Sequence, residues 1–327
     1  MCTAISYHTN NHLFGGNLDL EFSYDETVTI TPREYELKFR HDKHISNHYA
    51  IIGMAYVVDD YPLYYDAMNE YGLGMAGLNF PNNAKYYEPS KKFNHNITSF
   101  EFIPWILSQC KTVDEAHQKL MTHIAITDDK FCNKLPPSPL HWMITDKEKS
   151  IVVEHTKDGL HVYDNPVGVM TNNPTFDKQL FNLNNYSKLS VEPVTDTFAK
   201  DLELDLYSRG MGAIGLPGDL SSMSRFVRAT FVKLNSLSDG TKFGDISQFF
   251  HILKSVEQQR GCVHIKDDKY EITIYSSCCN LDTGVYYYTT YDNHRIQAIN
   301  MFKENLDSDN LVCFDVNKTM DINFCNE

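Results

Sequence analysis

Short strand-like runs and helical patterns follow one another along this 327-residue chain to its end, with no linker, internal repeat or low-complexity tract to part them. A chain without a seam is expected to fold as one mixed domain over residues 1–327, although length alone would suggest about two. Residues 2–7 are β-compatible, Val28-Thr29-Ile30-Thr31 reads as a strand ended by Pro32, and residues 49–58 and 72–80 read as further strands. Thr98-Ser99 opens a helix with Pro104 in its first turns, where the missing N–H is tolerated. Thr112-Val113-Asp114-Glu115 has the form of a capping box and starts a second helix toward Leu120. Residues 141–144, 150–154 and 160–163, parted by polar turns, predict an antiparallel meander. Ser221-Ser222 caps an amphipathic helix through Leu234, and another helix runs from about Asp245 to Val256 and stops near Gly261. Strand patterns return at 270–276, 284–290 and 295–301. Such runs predict an α+β fold, antiparallel sheets with helices packed outside. Residues 182–219, rich in Asn, Ser, Pro and Gly, read as a long excursion from the core that serves function or oligomerisation.

A net charge of −14 and a pI near 5.4 argue against a nucleic-acid binder, which would carry a basic stripe, and against affinity for anionic membranes. No apolar stretch reaches the roughly 18 residues that span a bilayer, and no charged-then-apolar start suggests export, so a cytoplasmic protein is expected. The eight cysteines then read as reduced thiols. Neither Cys278-Cys279 nor Cys262-Val263-His264 has the spacing of a zinc site, and neither a metal nor a cofactor is expected. Gly72-Leu73-Gly74-Met75-Ala76-Gly77 matches a nucleotide-binding pattern, but it leads into Leu78-Asn79-Phe80-Pro81 rather than a helix; it reads as a strand with close backbone approach.

The chain opens Met1-Cys2-Thr3. A small second residue permits removal of Met1, which would put a thiol and a free α-amine on Cys2, nucleophile beside general base. Both groups titrate within reach of neutral pH, near ~8.5 and ~7.7–8.0. Asp19, after the Gly15-Gly16 pair, is ordinarily a turn residue and gains interest only beside a charged α-amine. Asn79 is by itself a polar strand residue, Asn172 part of a polar turn before Pro174, and Arg225 a surface charge on the first turn of its helix.

Together these segments occur in a telling order. Met1-Cys2-Thr3, Asn17-Leu18-Asp19, Asp60-Tyr61-Pro62, Met68-Asn69-Glu70, residues 72–80, Leu140-His141-Trp142, Thr171-Asn172-Asn173-Pro174, Leu216-Pro217-Gly218-Asp219 and Ser224-Arg225-Phe226 resemble the choloylglycine hydrolases, the bile salt hydrolases and their penicillin V acylase relatives. The resemblance covers essentially the whole chain. It implies an N-terminal nucleophile hydrolase: a four-layer αββα sandwich of two antiparallel sheets between helical layers, commonly a homotetramer, cleaving the amide between a steroid acyl group and glycine or taurine. It implies Cys2 as nucleophile, Asp19 holding the α-amine, Asn79 and Asn172 bonded to the oxyanion or scissile amide, and Arg225 beside the nucleophile. Asn79, where penicillin V acylases often carry Tyr, leans toward bile salts. The family's apolar substrate contacts fall here on Leu18, Leu20, Phe22, Val58, Tyr65, Phe131, Leu135 and Leu140.

One position departs. The family turn usually reads Phe-Gly-Arg-Asn-x-Asp, and here the Arg is Gly16. Losing a cation thought to support the thiolate, and gaining backbone freedom beside Asp19, predicts impaired activity on an unchanged fold. The expected function is therefore hydrolysis of conjugated bile salts. A penicillin V acylase or other N-acyl amide hydrolase is the alternative within the same chemistry, and a non-catalytic binder of amphipathic ligands the alternative from another class.

Overall fold

The computed structural model describes residues 1–135 and 138–326. In its first half the strands are β1 (Cys2–His8), β2 (His12–Leu20), β3 (Thr27–Thr31), β4 (Ile51–Val58), β5 (Tyr61–Asn69), β6 (Gly74–Asn79) and β7 (His95–Thr98). Helices α1 (Phe102–Leu107) and α2 (Val113–Leu120) follow, then β8 (Ile124–Thr127), β9 (Leu140–Thr145), β10 (Ser150–Thr156), β11 (Gly159–Asp164) and β12 (Val169–Met170). The remainder holds α3 (Phe176–Asn182), α4 (Ser222–Asn235), α5 (Lys242–Lys254), β13 (His264–Lys266), β14 (Lys269–Tyr270), β15 (Ile272–Asn280), β16 (Val285–Thr290), β17 (Gln297–Asn300) and β18 (Val312–Asp315).

Two sheets dominate. One runs β12-β1-β2-β15-β16-β17 and the other β11-β10-β9-β6-β5-β4-β3-β18, and every pairing within them is antiparallel. β1 and β2 of the first sheet face β5 and β6 of the second, α4 and α5 cover the first sheet, and α1 covers the second. This is the αββα sandwich. Central strands are buried on both faces, so their sequences run apolar or small throughout rather than alternating, as in Cys2–His8 and His12–Leu20. One apolar cluster (Phe14, Met54, Met143, Phe226, Phe249) fills the space between the sheets and under α4 and α5. A second (Trp105, Phe102, Trp142, Ile151) lies between the eight-stranded sheet and α1–α2.

Several expectations change. Gly15 and Gly16 form no turn: they lie inside β2, opposite Ile5 and Ala4. A Cβ on Gly15 would run into the carbonyl of Ser277 on β15, and one on Gly16 into the carbonyl of Thr3 on β1. The pair lets both neighbouring strands close on β2, which is a reason for glycine other than turning. Paired with Ala4 on β1, and with its amide donating to the Ser277 hydroxyl of β15 at 3.2 Å, Gly16 has no surplus backbone freedom. β5 was not anticipated, because Pro62 and Asp66 interrupt its apolar pattern. α5 starts at Lys242, capped by the Thr241 hydroxyl accepting from the Gly244 amide at 3.0 Å, and ends at Lys254, short of Gly261. Thr112 caps α2 at 3.2 Å, but the Glu115 carboxylate accepts from the Lys111 amide, so the capping box is half formed. Beyond α3 the 182–219 excursion carries only two short 3-10 turns and exposes Phe198, Tyr207 and Ile214. Among the described residues all eight cysteines are free, no group of His, Cys, Asp and Glu could hold a metal, and no helix is long and apolar enough to cross a membrane.

Candidate active site

Cys2 is the first residue of β1 and 5% exposed. β12 pairs with β1 through Ala4–Met170, so the chain leaving β12 delivers Thr171 and Asn172 to the head of β1. There the Cys2 amide donates to Asn172 Oδ1 at 2.8 Å. Arg225, on the first turn of α4, is not a surface charge: it is fully buried. Its Nη1 donates to the Cys2 carbonyl at 2.6 Å and to Thr3 Oγ1 at 2.5 Å, Nη2 to Asn172 Oδ1 at 2.8 Å, and Nε to the Leu220 carbonyl at 3.1 Å. Asn172 Nδ2 donates to the carbonyl of Asn79, the last residue of β6, at 2.7 Å and so ties the second sheet to the first. The head of β1, the end of β6, the residues after β12 and the start of α4 are thus joined in one hydrogen-bond network through Asn172 and Arg225.

Asp19 sits opposite Thr273 on β15 and accepts from its hydroxyl at 2.6 Å; that hydroxyl in turn accepts from the Gln258 amide at 2.8 Å. Its other oxygen, Oδ2, is buried and has no hydrogen-bond partner among the described residues. The Met1 ammonium donates to the Asp19 main-chain carbonyl at 2.8 Å rather than to the carboxylate. It is ion-paired instead with Glu271, a buried residue the sequence reading missed. Only the strand pairing that sets β15 beside β2 exposes that neighbour.

Burial is the largest influence on these groups. It raises the Asp19 carboxyl to about 6, against the lowering effect of Arg225 and the nearby α-ammonium. It also raises the Cys2 thiol, more than the α-ammonium and Arg225 lower it, while Asp19 adds to the rise. Behind the thiol, a cavity of about 20 Å³ is lined by Cys2, Gly16, Tyr65, Asp66 and Tyr275. Asp66, also buried, accepts from the hydroxyls of Tyr275 at 2.6 Å and Tyr286 at 2.7 Å, and burial lifts it to about 6.

In front of the thiol a cavity of about 430 Å³ opens between the ends of the central strands β1, β2, β4, β5 and β6 and residues that include Asp129, Phe131, Leu135 and Ser138. Leu18, Leu20, Tyr65, Phe131, Leu135 and Leu140 line it, as does Asn79. Phe22 and Val58 do not: Phe22 packs tilted against Tyr24, ring centroids 4.7 Å apart, and Val58 ends β4 opposite Tyr61. Tyr24, Tyr56, Leu63 and Phe100 are among the further lining residues and were missed, although every second residue of β4 and β5 facing the same way could have suggested Tyr56 and Leu63. Pro136 and Pro137, within the anticipated substrate loop, lie outside the described residues. Among the described residues the Asn79 side-chain amide makes no hydrogen bond, whereas that of Asn172 is engaged on Asn79.

A thiol at the head of a central strand, in a sandwich of two antiparallel sheets between helices, is the architecture of the N-terminal nucleophile hydrolases. Penicillin V acylase from Agrobacterium tumefaciens shares the fold at a TM-score of 0.76 and 19% identity, over 96% of this chain and 91% of that one. A variant of conjugated bile acid hydrolase from Clostridium perfringens superposes at 0.93 with 40% identity, over 99% and 100% of the two chains. Residues 2–314 match the choloylglycine hydrolase family of linear amide C–N hydrolases, and the chain belongs to that family. Its relatives include bile salt hydrolase/transferases of Lactiplantibacillus plantarum, 56% identical over 96% of each chain, and of Clostridium perfringens, 40% identical over the full length of both.

Proposed function

We propose that this protein hydrolyses the amide bond of glycine- or taurine-conjugated bile salts, with Cys2 as nucleophile once Met1 is removed. The observation that carries the reading is the apolar cavity of about 430 Å³ that ends on the Cys2 thiol and on Asn79. It suits a rigid apolar acyl group whose scissile carbonyl lies at the polar end. The Cys2 thiolate attacks that carbonyl. Asn79, with its amide unengaged, is the donor suited to the oxyanion, a role worth ~2.7–4 kcal/mol per donor. Asn172 serves rather as the strut between Cys2, Arg225 and Asn79. The α-amine takes the thiol proton and passes it to the leaving nitrogen, and water then hydrolyses the thioester. In the mature chain the new α-amine offers hydrogens to the unpartnered Asp19 Oδ2. Gly16 lowers the rate by leaving the thiolate one cation short. The apolar residues exposed on the 182–219 excursion suit a contact between copies in a homotetramer, and a cytoplasmic, one-domain protein fits the same reading.

Release of glycine from glycocholate and of taurine from taurocholate by the Met1-processed protein, with Cys2→Ala as blank, tests the proposal. Release that vanishes in the blank supports substrate and nucleophile together. Release of phenoxyacetate from penicillin V with none from either bile salt would move the assignment to the acylase branch.

A further inference from the structure

Glu271 immediately precedes β15 and is 5% exposed. Its amide donates to the Val263 carbonyl at 2.9 Å, which fixes the backbone there. Its carboxylate forms an ion pair with the Met1 ammonium and, among the described residues, with no other cation. Antiparallel pairing sets Ile272 against Leu20 and Thr273 against Asp19, so Glu271 and Asp19 approach the amine from adjacent strands. Removal of Met1 moves the α-amine one residue along, and adjacent Cα atoms are about 3.8 Å apart. A glutamate side chain covers that step by a change of rotamer. A buried carboxylate deprived of its cation is strongly disfavoured, and the new ammonium on Cys2 is the cation within reach.

We propose that Glu271 is a positioning residue of the mature enzyme: it holds the α-amine of Cys2 as an ammonium beside the thiolate, so that this ammonium supplies the positive charge that Gly16 does not. The inference rests on Cys2 being the N-terminal nucleophile. At rest the thiol S–H proton lies on the amine, giving a thiolate–ammonium pair without change of net charge. On attack the S–C bond forms. As the C–N bond breaks, one ammonium proton passes to the leaving nitrogen, and the neutral amine then accepts the proton of the water that displaces sulfur.

Other groups face this amine. Asp19 on β2 works with Glu271, and Glu257 after α5 adds a weaker negative field offset by Lys254. Arg225 on α4 opposes them. Tyr65 and Asp66 on β5 lie behind the thiol.

The test uses Met1-processed wild type, Glu271→Gln and Glu271→Asp. The rate of iodoacetamide alkylation, mapped to Cys2 by mass, is followed against pH together with kcat/KM. Glu271→Gln should slow alkylation at pH 6 about tenfold, the size of a one-unit shift in the thiol. The rates should converge at pH 9–10, and Glu271→Asp should restore most of the loss. Superimposable profiles for wild type and Glu271→Gln would overturn the assignment, as would an Asp variant as slow as the Gln variant. A measurement on wild type alone guards against misfolded variants. Reductive methylation of the Cys2 α-amine should begin above the ordinary range of ~7.7–8.0, and onset within or below that range also overturns it. Activity surviving in Cys2→Ala would instead sink the nucleophile itself, whatever Glu271 does.

Discussion

Beneath Cys2, Arg225, Asn172 and Asp19 are buried, and Arg225 and Asn172 each make several short hydrogen bonds to groups from other segments. In front of Cys2, Leu20, Tyr65, Phe131 and Leu140 are half-buried and meet the cavity through apolar contact. The floor is directional: its donors are aimed at fixed acceptors, and moving Arg225 or Asn172 leaves buried partners unsatisfied. The wall is not, because apolar contact falls off smoothly with area. The difference predicts that chemistry is lost abruptly when the floor is altered, while substrate preference drifts as the wall is altered.

The sharpest break is Arg225→Met. It removes the donors to the Cys2 carbonyl, Thr3, Asn172 and Leu220 at once. A loss of about 3–5 kcal/mol in stability is expected, as when one member of a buried charged network is taken away. kcat/KM should fall at least about a hundredfold, because the thiol and Asn79 are no longer held in one frame. Urea denaturation and steady-state kinetics check both. A variant with normal stability and rate would mean that the strands alone fix the head of β1.

Gly16→Arg comes next. If the missing cation limits the rate, kcat/KM should rise severalfold to about a hundredfold, since one unit in the thiol corresponds to ~1.4 kcal/mol. The floor opposes the change: a Cβ at position 16 meets the Thr3 carbonyl, so β1 must move away from β2. A lower Tm with a higher rate is therefore the expected outcome. Equal rates would end the idea that glycine at this position costs activity.

Much of this floor was illegible in sequence for identifiable reasons. The Gly15-Gly16 pair reads as a turn because glycine's freedom is a local property, whereas its use here, close approach of β1 and β15, depends on strands from either end of the chain. Arg225 reads as a surface charge because its acceptors, Cys2 and Asn172, are 223 and 53 residues away, and no periodicity links them. Glu271 lies on no motif. The resemblance to a family brought Cys2, Asp19, Asn79, Asn172 and Arg225 together where spacing could not. It did not foresee that the unprocessed chain binds Asp19 through its carbonyl. The helix caps at Thr112, Ser221 and Thr241 involve residues within one turn. Even so, only the first two were read before the structure.

The pH dependence of stability separates the floor from the protein at large. The carboxyls of Asp19 and Asp66 are both raised to about 6 by burial. The folded state then holds their protons more tightly than the unfolded chain does. Their stabilising effect is complete below about pH 4 and is lost as pH rises through about 6, up to about 3 kcal/mol for each group. Asp66→Asn keeps an acceptor for one tyrosine and removes the titration. Urea unfolding from pH 4 to 7 should show a smaller loss of stability with rising pH in that variant than in the parent. Parallel curves would mean that Asp66 keeps an ordinary carboxylate pKa.

The smallest effects belong to the wall. Leu20→Ala removes apolar area from the cavity and should raise KM for glycocholate about three- to tenfold with kcat little changed, the loss expected for part of one leucine side chain. Val58→Ala, at the end of β4 and off the cavity, should leave KM within about twofold. If the two variants behaved alike, the wall would not be where the acyl group lies. If Leu20→Ala lowered kcat as much as it raised KM, wall and floor would be coupled through β2, whose Leu18 and Asp19 join the cavity to the amine.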